Sequence, residues 1–187
     1  VEHLGGFVFG DLCLPTLAGA LRDESRDDLM AMVSTGFTGG WLLDNDHPAS
    51  VQTHGHITSS QQRRAGDDTK DTNCNGREFV EWLLEERRGF ESLESVGVKV
   101  KQMRPETPGK LDGRWDGTLL VTMAGRTAEG RIRETRIELA CRLEGISDRS
   151  PEHGGWFRRL SVMRRAIEER AAALMEDMTD ETGIDVS

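Results

Sequence analysis

The fold is decided by residues 116–143, whose sequence is DGTLLVTMAGRTAEGRIRETRIELACRL. This stretch predicts two strands, Thr118–Ala124 and Arg131–Leu143, joined by a polar turn. From position 137 onward every second residue is apolar and most residues between are charged, the apolar set being Ile137, Leu139, Cys141 and Leu143. A period of two places that set on one face of a sheet. One face therefore packs on a core while the other meets water, which is typical of an antiparallel sheet.

Two more strands are predicted on either side of this hairpin. Val96–Lys101 alternates valine with glycine or lysine, as a half-buried strand does. In Trp156–Ile167, alternation predicts that Trp156, Leu160 and Val162 face the core and that Arg159 and Arg165 face water. The stretch Arg165–Met175 is helix-prone and leads into an acidic tail.

Helical spacing precedes the strands. Apolar residues from Leu17 to Val33 predict one helix of about 18 residues, or two shorter helices with a joint near Asp23–Arg26. Gly36–Gly40 is expected to end this region, and Trp41–Leu43 to form a short strand or to cover the core. A further helix is predicted from Asn75 or Gly76 to about Leu93, with Phe79, Leu83 and Phe90 on its apolar stripe and Glu81, Glu85 and Glu86 on its wet face.

Residues 44–76 are polar and differ in composition from the rest of the chain. One short strand, Ser50–Ile57, is plausible within them. Residues 58–75 are predicted to form a mobile surface loop, and a loop of this length inside a compact domain is either disordered or functional.

Helices followed by successive antiparallel strands predict an α+β fold. We expect a curved antiparallel sheet of about four strands, wrapped as a cone around the N-terminal helices in one domain over residues 1–170, with a tail at 171–187. The core would join the two layers through Phe79, Trp82, Leu83, Val98, Leu119, Val121, Leu139 and Leu160. The mouth of such a cone is a common ligand site.

Composition excludes several classes of function. The 187 residues carry a formal net charge of −9 with a pI near 5.1, which argues against non-specific binding to nucleic acid or to an anionic membrane surface. No apolar run approaches the ~20 residues of a membrane-spanning helix. No dinucleotide or P-loop motif is present, so we expect no cofactor. The three cysteines, Cys13, Cys74 and Cys141, form no C-x-x-C pair and are expected to be structural.

The predicted architecture resembles the cone-shaped fold of the nuclear transport factor two (NTF2) and SnoaL-like superfamily over Pro15–Ile167. A second resemblance lies in residues 175–184, which read MEDMTDETGI. This run is similar to the F-x-D-V-T-x-x-A-G-I phrase that opens the repeat region of ASPIC/UnbV proteins with FG-GAP repeats, with Met175 in place of Phe and Thr182 in place of Ala. The resemblance implies the front domain of a longer exported or periplasmic protein.

Two groups of residues are candidate sites. His54 and His56, two positions apart on the predicted strand, would point to one side and could bind a metal, with Asp44, Asp46 or Cys74 completing the site. The alternative is that these histidines are solvated loop residues. Near the mouth of the cone, a ligand could meet Trp115, Asp116, His153 and Trp156.

Catalysis in a cone would need a carboxylate or histidine on the inward face. The inward faces predicted from the sequence are apolar, and Glu134 and Glu138 fall on the outward set. We therefore expect a non-catalytic accessory or interaction domain. Its partner would be a downstream domain of the same polypeptide or a second copy, which would make a homodimer through the open sheet face. The alternative is a small-molecule-binding or catalytic SnoaL-like domain with a ligand pocket in the cone.

Overall fold

The computed structural model describes residue 10 and residues 13–41, 49–63, 74–110, 113–144 and 155–171. These residues form three helices and seven strands. The helices are α1 (Leu14–Arg22), α2 (Arg26–Ala31) and α3 (Gly76–Arg88). The strands are β1 (Val33–Gly40), β2 (Ser50–His54), β3 (Ile57–Arg63), β4 (Ser92–Pro105), β5 (Trp115–Arg126), β6 (Ile132–Leu143) and β7 (Phe157–Arg170).

The strands form one sheet in the order β2-β3-β7-β6-β5-β4, and every neighbouring pair in this order is antiparallel. β7 is paired with β6 along one side for its whole length. On its other side β7 changes neighbour: residues 157–161 pair with β1 in parallel, and Arg164–Arg170 pair with β3. The long last strand therefore connects the main sheet to the β2–β3 hairpin, which we call the arm.

The predicted fold class is confirmed: the protein is α+β, with an antiparallel sheet and helices packed on one of its faces. The set that decided the prediction is buried, with Ile137, Leu139 and Leu143 at 0% exposure and Cys141 at 5%. Most of the predicted core is buried with them, while Trp82 and Val98 are half-buried at its border. We call the face that carries the helices the helix side and the opposite one the outer face.

Helix α3 begins where the sequence predicts. The Asn75 side chain accepts a hydrogen bond from the Glu78 N–H at 3.0 Å, and the Glu78 carboxylate accepts one from the Asn75 N–H at 2.9 Å. This capping box satisfies two backbone donors that a helix start leaves unpaired. The helix ends at Arg88, five residues before the predicted Leu93, and Phe90 reaches the core from the connection to β4.

The N-terminal helical region consists of two helices, as the second of the two alternatives predicted. Glu24, in the joint between them, has a φ of 54°, and α2 restarts at Ser25, whose hydroxyl accepts from the Asp28 N–H at 3.3 Å. A residue in the left-handed region followed by a serine cap ends one helix and begins the next.

The expectation for Gly36–Gly40 is wrong, because these residues lie in strand β1 instead of ending a helix. Small residues are needed there: a Cβ on Gly39 would lie 2.9 Å from the Phe79 ring and 2.7 Å from that of Phe37. Trp41 follows β1 and is half-buried, and residues 42–43 of the predicted Trp41–Leu43 run lie outside the described residues.

The predictions for residues 50–75 need two corrections. The Ser50–Ile57 segment is not one strand, since it turns at Gly55 and continues into β3. Residues 57–63, most of them assigned to a mobile loop, form that strand; residues 64–73 lie outside the described residues. Gly55 has a φ of 59°, the conformation required at the first central position of a type II′ hairpin turn.

The remaining strands are longer than predicted. β4 and β5 extend beyond Val96–Lys101 and Thr118–Ala124 at both ends. The prediction of a helix-prone stretch over Arg165–Met175 is wrong for residues 165–170, which continue β7. This part of β7 pairs with β3 on one side and with β6 on the other. Tertiary pairing of this kind commonly overrides local helix propensity.

Candidate functional site

The predicted metal pair does not have the geometry that motivated it. His54 is the last residue of β2, whereas His56 lies in the turn, so they do not point to one side of a strand. Cys74 is buried at 4% exposure and pairs with Gly39 through backbone hydrogen bonds of 2.9 and 3.0 Å. Across the described part of the chain, no group of three potential ligand residues comes together. Asp44 and Asp46 lie outside the described residues, and metal binding stays a prediction.

The described residues among those predicted at the cone mouth are dispersed. Trp115 has 0% exposure and belongs to the core, opposite Leu143. Asp116 lies on the outer face, where the Arg142 Nε donates to its Oδ1 at 2.7 Å. These two neighbours on β5 therefore cannot line one pocket. Trp156 is half-buried just before β7, and His153 lies outside the described residues, so ligand binding by them is still a prediction.

A cluster that the sequence did not predict lies on the helix side, where α3 faces β7. Arg165 on β7 holds Glu86 on α3 with two nitrogens: Nε donates to Oε2 at 3.0 Å, and Nη2 lies 2.9 Å from Oε1. Its Nη1 also donates to Gln62 Oε1 at 3.3 Å. The Glu86 side chain is only 10% exposed and that of Arg165 27%. This contact joins the helix, the last strand and the arm.

A second ion pair extends the cluster along β6. The Arg133 Nε donates to Glu169 Oε1 at 2.6 Å, and its Nη1 donates to the Gly89 carbonyl oxygen at 3.0 Å. The Arg133 guanidinium carbon lies 5.8 Å from the centre of the Phe90 ring, within the range of a cation–π contact. Arg131 also pairs with Glu169. We call Gln62, Glu86, Arg131, Arg133, Arg165 and Glu169 the helix-side polar cluster.

The expectation that Arg165 faces water is wrong because β7 contains an irregularity. In the β6–β7 register Glu138 lies opposite Arg164 and Leu139 opposite Val162, so Met163 is an extra residue. An extra residue shifts a strand's alternation by one position. The inward set therefore passes from Leu160 and Val162 to Arg165, Ile167 and Glu169. The prediction that Glu86 lies on the wet face of α3 is also wrong, because its side chain faces the sheet and pairs with Arg165.

The cluster can do two things chemically. Its guanidinium groups offer donors in a planar fork suited to carboxylate or phosphate. Its carboxylates, however, are already held by those arginines, with bonds that tie separate elements together. The contacts therefore suit a clamp between α3, β6 and β7 better than a proton-transfer site, which needs a group free to exchange its proton with a substrate.

The outer face of β4–β7 has a different character. Within the described residues every helix packs on the opposite face. The middle of the outer face consists of half-buried side chains without charge, namely Leu120 and the smaller Thr118, Thr122, Ala124 and Ala140. Ion pairs flank this middle: Lys101 with Glu138 at 3.0 Å, Arg136 with Glu134 at 2.6 Å, and Arg142 with Asp116. A flat centre with a charged border is how many protein interfaces are arranged.

The cysteines are buried, as expected of structural residues. Burial raises the pKa of Cys13 and of Cys74 to about 11 and that of Cys141 to about 12. For Cys74 the nearby charge of Glu78 adds to this increase in pKa. A thiol with a raised pKa stays protonated at neutral pH and is a poor nucleophile.

Comparison with known proteins yields one distant structural similarity. No family model matches the chain, and no curated protein matches it. Among solved structures, the chain is similar to a designed NTF2-like protein with 11% sequence identity and a TM-score of 0.40, over 80% of this chain and 91% of that one. This similarity concerns the arrangement of the chain, and no conclusion about activity follows from it. None of the described helices has the length and apolar character needed to cross a membrane.

Proposed function

We propose that the chain is a non-catalytic accessory domain of NTF2-like type whose outer face binds another domain of the same polypeptide. The observation that carries the proposal is the surface of β4–β7, which the described helices leave uncovered. Leu120 lies at its centre, opposite Glu138 on β6 and Lys99 on β4. A half-buried leucine with Thr118 and Thr122 on either side along its strand, and charged residues on the neighbouring strands, fits the interior of a docking contact.

The helix-side polar cluster supports a non-catalytic role. Glu86 and Glu169 are the carboxylates of this cluster, and arginine side chains hold both of them. Each pair crosses from one structural element to another, so breaking it to free a general base would also loosen the packing. The cluster is therefore better suited to hold the helix against the sheet than to exchange protons with a substrate.

The partner we propose is a repeat region of the ASPIC/UnbV type with FG-GAP repeats. Support for this partner comes from residues 175–184, which resemble the phrase that opens such regions. The test is the coding sequence that follows Ser187. Calcium-type Asp-rich repeats directly downstream are the expected result, and a reading frame that continues into an unrelated domain would rule out this partner.

Docking through the outer face is tested by Leu120→Arg. The added cation would lie at the centre of the face, and we expect it to weaken binding of the separately produced downstream region at least tenfold in calorimetric titration. The matched control is Glu85→Arg, which adds the same side chain to the exposed surface of α3. Circular dichroism checks that both variants fold. Equal affinity of the Leu120→Arg variant and the wild type would overturn the proposal.

Ligand binding is the second candidate, and the partly exposed arginines of the helix-side polar cluster favour it. Arg133 and Arg165 keep side-chain exposures of 25% and 27% beside the inward-facing carboxylates. A small carboxylate or phosphate ligand could share their donors. Thermal-shift measurements with a panel of such anions provide the test. Stabilisation that Arg133→Met removes and Arg88→Met preserves would favour this function, and no stabilisation by any member would count against it.

A further inference from the structure

The arm ends in a strand with an unusually open edge. All five residues of β2 are exposed, and Val51 has 62% of its surface in solvent. One side of β2 pairs with β3, and in the described part of the chain nothing pairs with its other side. Unpaired strand edges are ready templates for another strand.

The hairpin geometry determines which backbone groups point to that edge. β2 and β3 pair without a register shift, and His54 lies opposite Ile57 across a two-residue turn. The residues that flank such a turn form a hydrogen-bonded pair, and bonded and non-bonded pairs alternate along the ladder. Ser50, Gln52 and His54 therefore bond to β3. Val51 and Thr53 direct their N–H and C=O groups outward.

The sequence and pairing of β2 itself lack the charges, prolines and bulges that protect many edge strands. The segment SVQTH contains no lysine, arginine, aspartate, glutamate or proline, and its pairing contains no bulge. Natural edge strands are normally protected by charge, proline, bulges or a covering element. Two of the five residues, Val51 and Thr53, are β-branched and suit further pairing in a sheet.

We infer that β2 pairs antiparallel with β2 of a second copy, about a two-fold axis through Gln52. In this register Val51 lies opposite Thr53 of the second copy, and both residues direct their backbone groups toward the contact. The two pairs related by symmetry exchange four backbone hydrogen bonds. Gln52 lies opposite its own copy. This contact is separate from the outer face and does not depend on the proposed function.

A second copy fits this edge because the segment is complementary to itself. Its β-branched residues meet each other on one face, while Gln52 meets Gln52 and Ser50 meets His54 on the other. No acidic or basic pair of like sign is brought together. The contact is isologous, so each copy uses its β2 edge once and the assembly closes as a dimer. Five residues per copy form a small contact, so we expect dimers at concentrations on the order of 100 µM.

A disulfide across the axis gives the sharpest test. Residues in a non-hydrogen-bonded pair have Cα atoms about 4.5 Å apart, which a disulfide can bridge. Gln52→Cys is therefore expected to give a disulfide-linked dimer under mild oxidation, while the native cysteines stay buried. Ser50→Cys is the matched control, since its two copies would lie about 13 Å apart along the strands. Equal cross-linking of the two variants would overturn the inference.

A second variant tests the hydrogen bonds. Thr53→Pro removes an outward N–H and leaves the bonds to β3 in place, and edge strands tolerate proline at such positions. In sedimentation velocity at several hundred µM, on the order suggested by the small contact, we expect a dimer for the wild type and for Leu120→Arg, and a monomer for Thr53→Pro. A wild-type monomer, or a dimer lost in Leu120→Arg and kept in Thr53→Pro, would overturn the inference. If Thr53→Pro does not fold, the cross-linking experiment alone tests the inference.

Discussion

The two ends of the sheet are built in different ways. β4 forms one end over fourteen residues, with two register shifts against β5, the basic residues Lys99, Lys101 and Arg104 along it, and α1 packed against it. β2 forms the other end over five uncharged or weakly basic residues in unbroken register. The β4 end has charges, bulges and a covering helix, which protect natural edge strands, whereas the described residues of the β2 end provide none of these three.

The end of the sheet that contributes most to the core is therefore not the end whose edge is open for pairing. The β4 end contributes Val96 and Met103 to the core, beneath α1. Gln62 is the one buried residue in the two strands of the arm, and its side chain accepts a hydrogen bond from Arg165. Segments with few buried apolar contacts open at low cost. We therefore expect the arm to open locally while the β4 end opens only when the domain unfolds.

The largest expected effect comes from the helix that covers the β4 end. Leu21 on α1 has 0% exposure, so Leu21→Ala should lower the free energy of unfolding by about 3 kcal/mol through lost burial and a residual cavity. The matching truncation in the arm, Val51→Ala, should change it by less than about 0.5 kcal/mol. Urea denaturation measures both changes. Equal losses would remove the contrast between the two ends.

The next effect concerns the connection between the arm and the helix. Arg165→Met leaves the Glu86 carboxylate, 10% exposed, without its guanidinium partner. The cost should be about 2 kcal/mol, below that of breaking a fully buried pair because Arg165 is itself partly exposed. Arg88→Met, which removes the exposed contacts to Glu24 and Glu85, is the control and should have no measurable effect. A loss of stability in Arg88→Met without a loss in Arg165→Met would contradict the idea that the Arg165–Glu86 pair clamps α3 to β7.

The buried thiols are expected to make the stability of the domain depend on pH. Burial raises the pKa values of Cys13 and Cys74 to about 11, so the folded chain keeps protons that the unfolded chain releases near its ordinary value of 9.0. Stability should be independent of these thiols below pH 8 and fall as the pH rises above 9. At about pH 10.5 the loss should be about 2 kcal/mol per thiol.

Urea denaturation of the wild type and of Cys13→Ala, below pH 8 and at about pH 10.5, measures this loss. Other groups that titrate at alkaline pH affect both proteins alike, so the difference between the two proteins reports on Cys13. The three thiols lie in the helix-covered part of the domain and none lies in the arm strands. Thiol labelling at neutral pH should therefore follow unfolding of the domain and not opening of the arm. Rapid labelling of the native protein would show that the protected part opens too.

The smallest effect is expected in the arm turn. Gly55 has a φ of 59°, so Gly55→Ala should cost about 1 kcal/mol and increase hydrogen exchange in β2 and β3 alone. Gly97→Ala in β4 is the control, because a Cβ there meets nothing within 4 Å and φ lies outside the left-handed region. Faster exchange throughout β4 in the Gly55→Ala variant would mean that the two ends are coupled.

The sequence was sufficient where one face of an element is buried. Alternation predicted the inward face of β6, and the helical spacing of apolar residues predicted α3 with its start at Asn75 or Gly76, because both patterns are local. The arm was predicted as one short strand followed by a loop, and its hairpin was missed because both strands are mostly polar, although Gly55 between two polar runs is a hairpin signal. The helix-side polar cluster was missed because Met163 shifts the alternation of β7, and only pairing with β6 reveals that shift.

The change of neighbour along β7 has a consequence for biosynthesis. β1 and the arm are made early, but the strand that joins both to the sheet is the last one in the described chain. A polypeptide emerging from the ribosome therefore exposes β6, β1 and β3 as incomplete edges until β7 has been translated. Such long-range pairing slows folding, and premature termination before Phe157 would leave an assembly-prone intermediate.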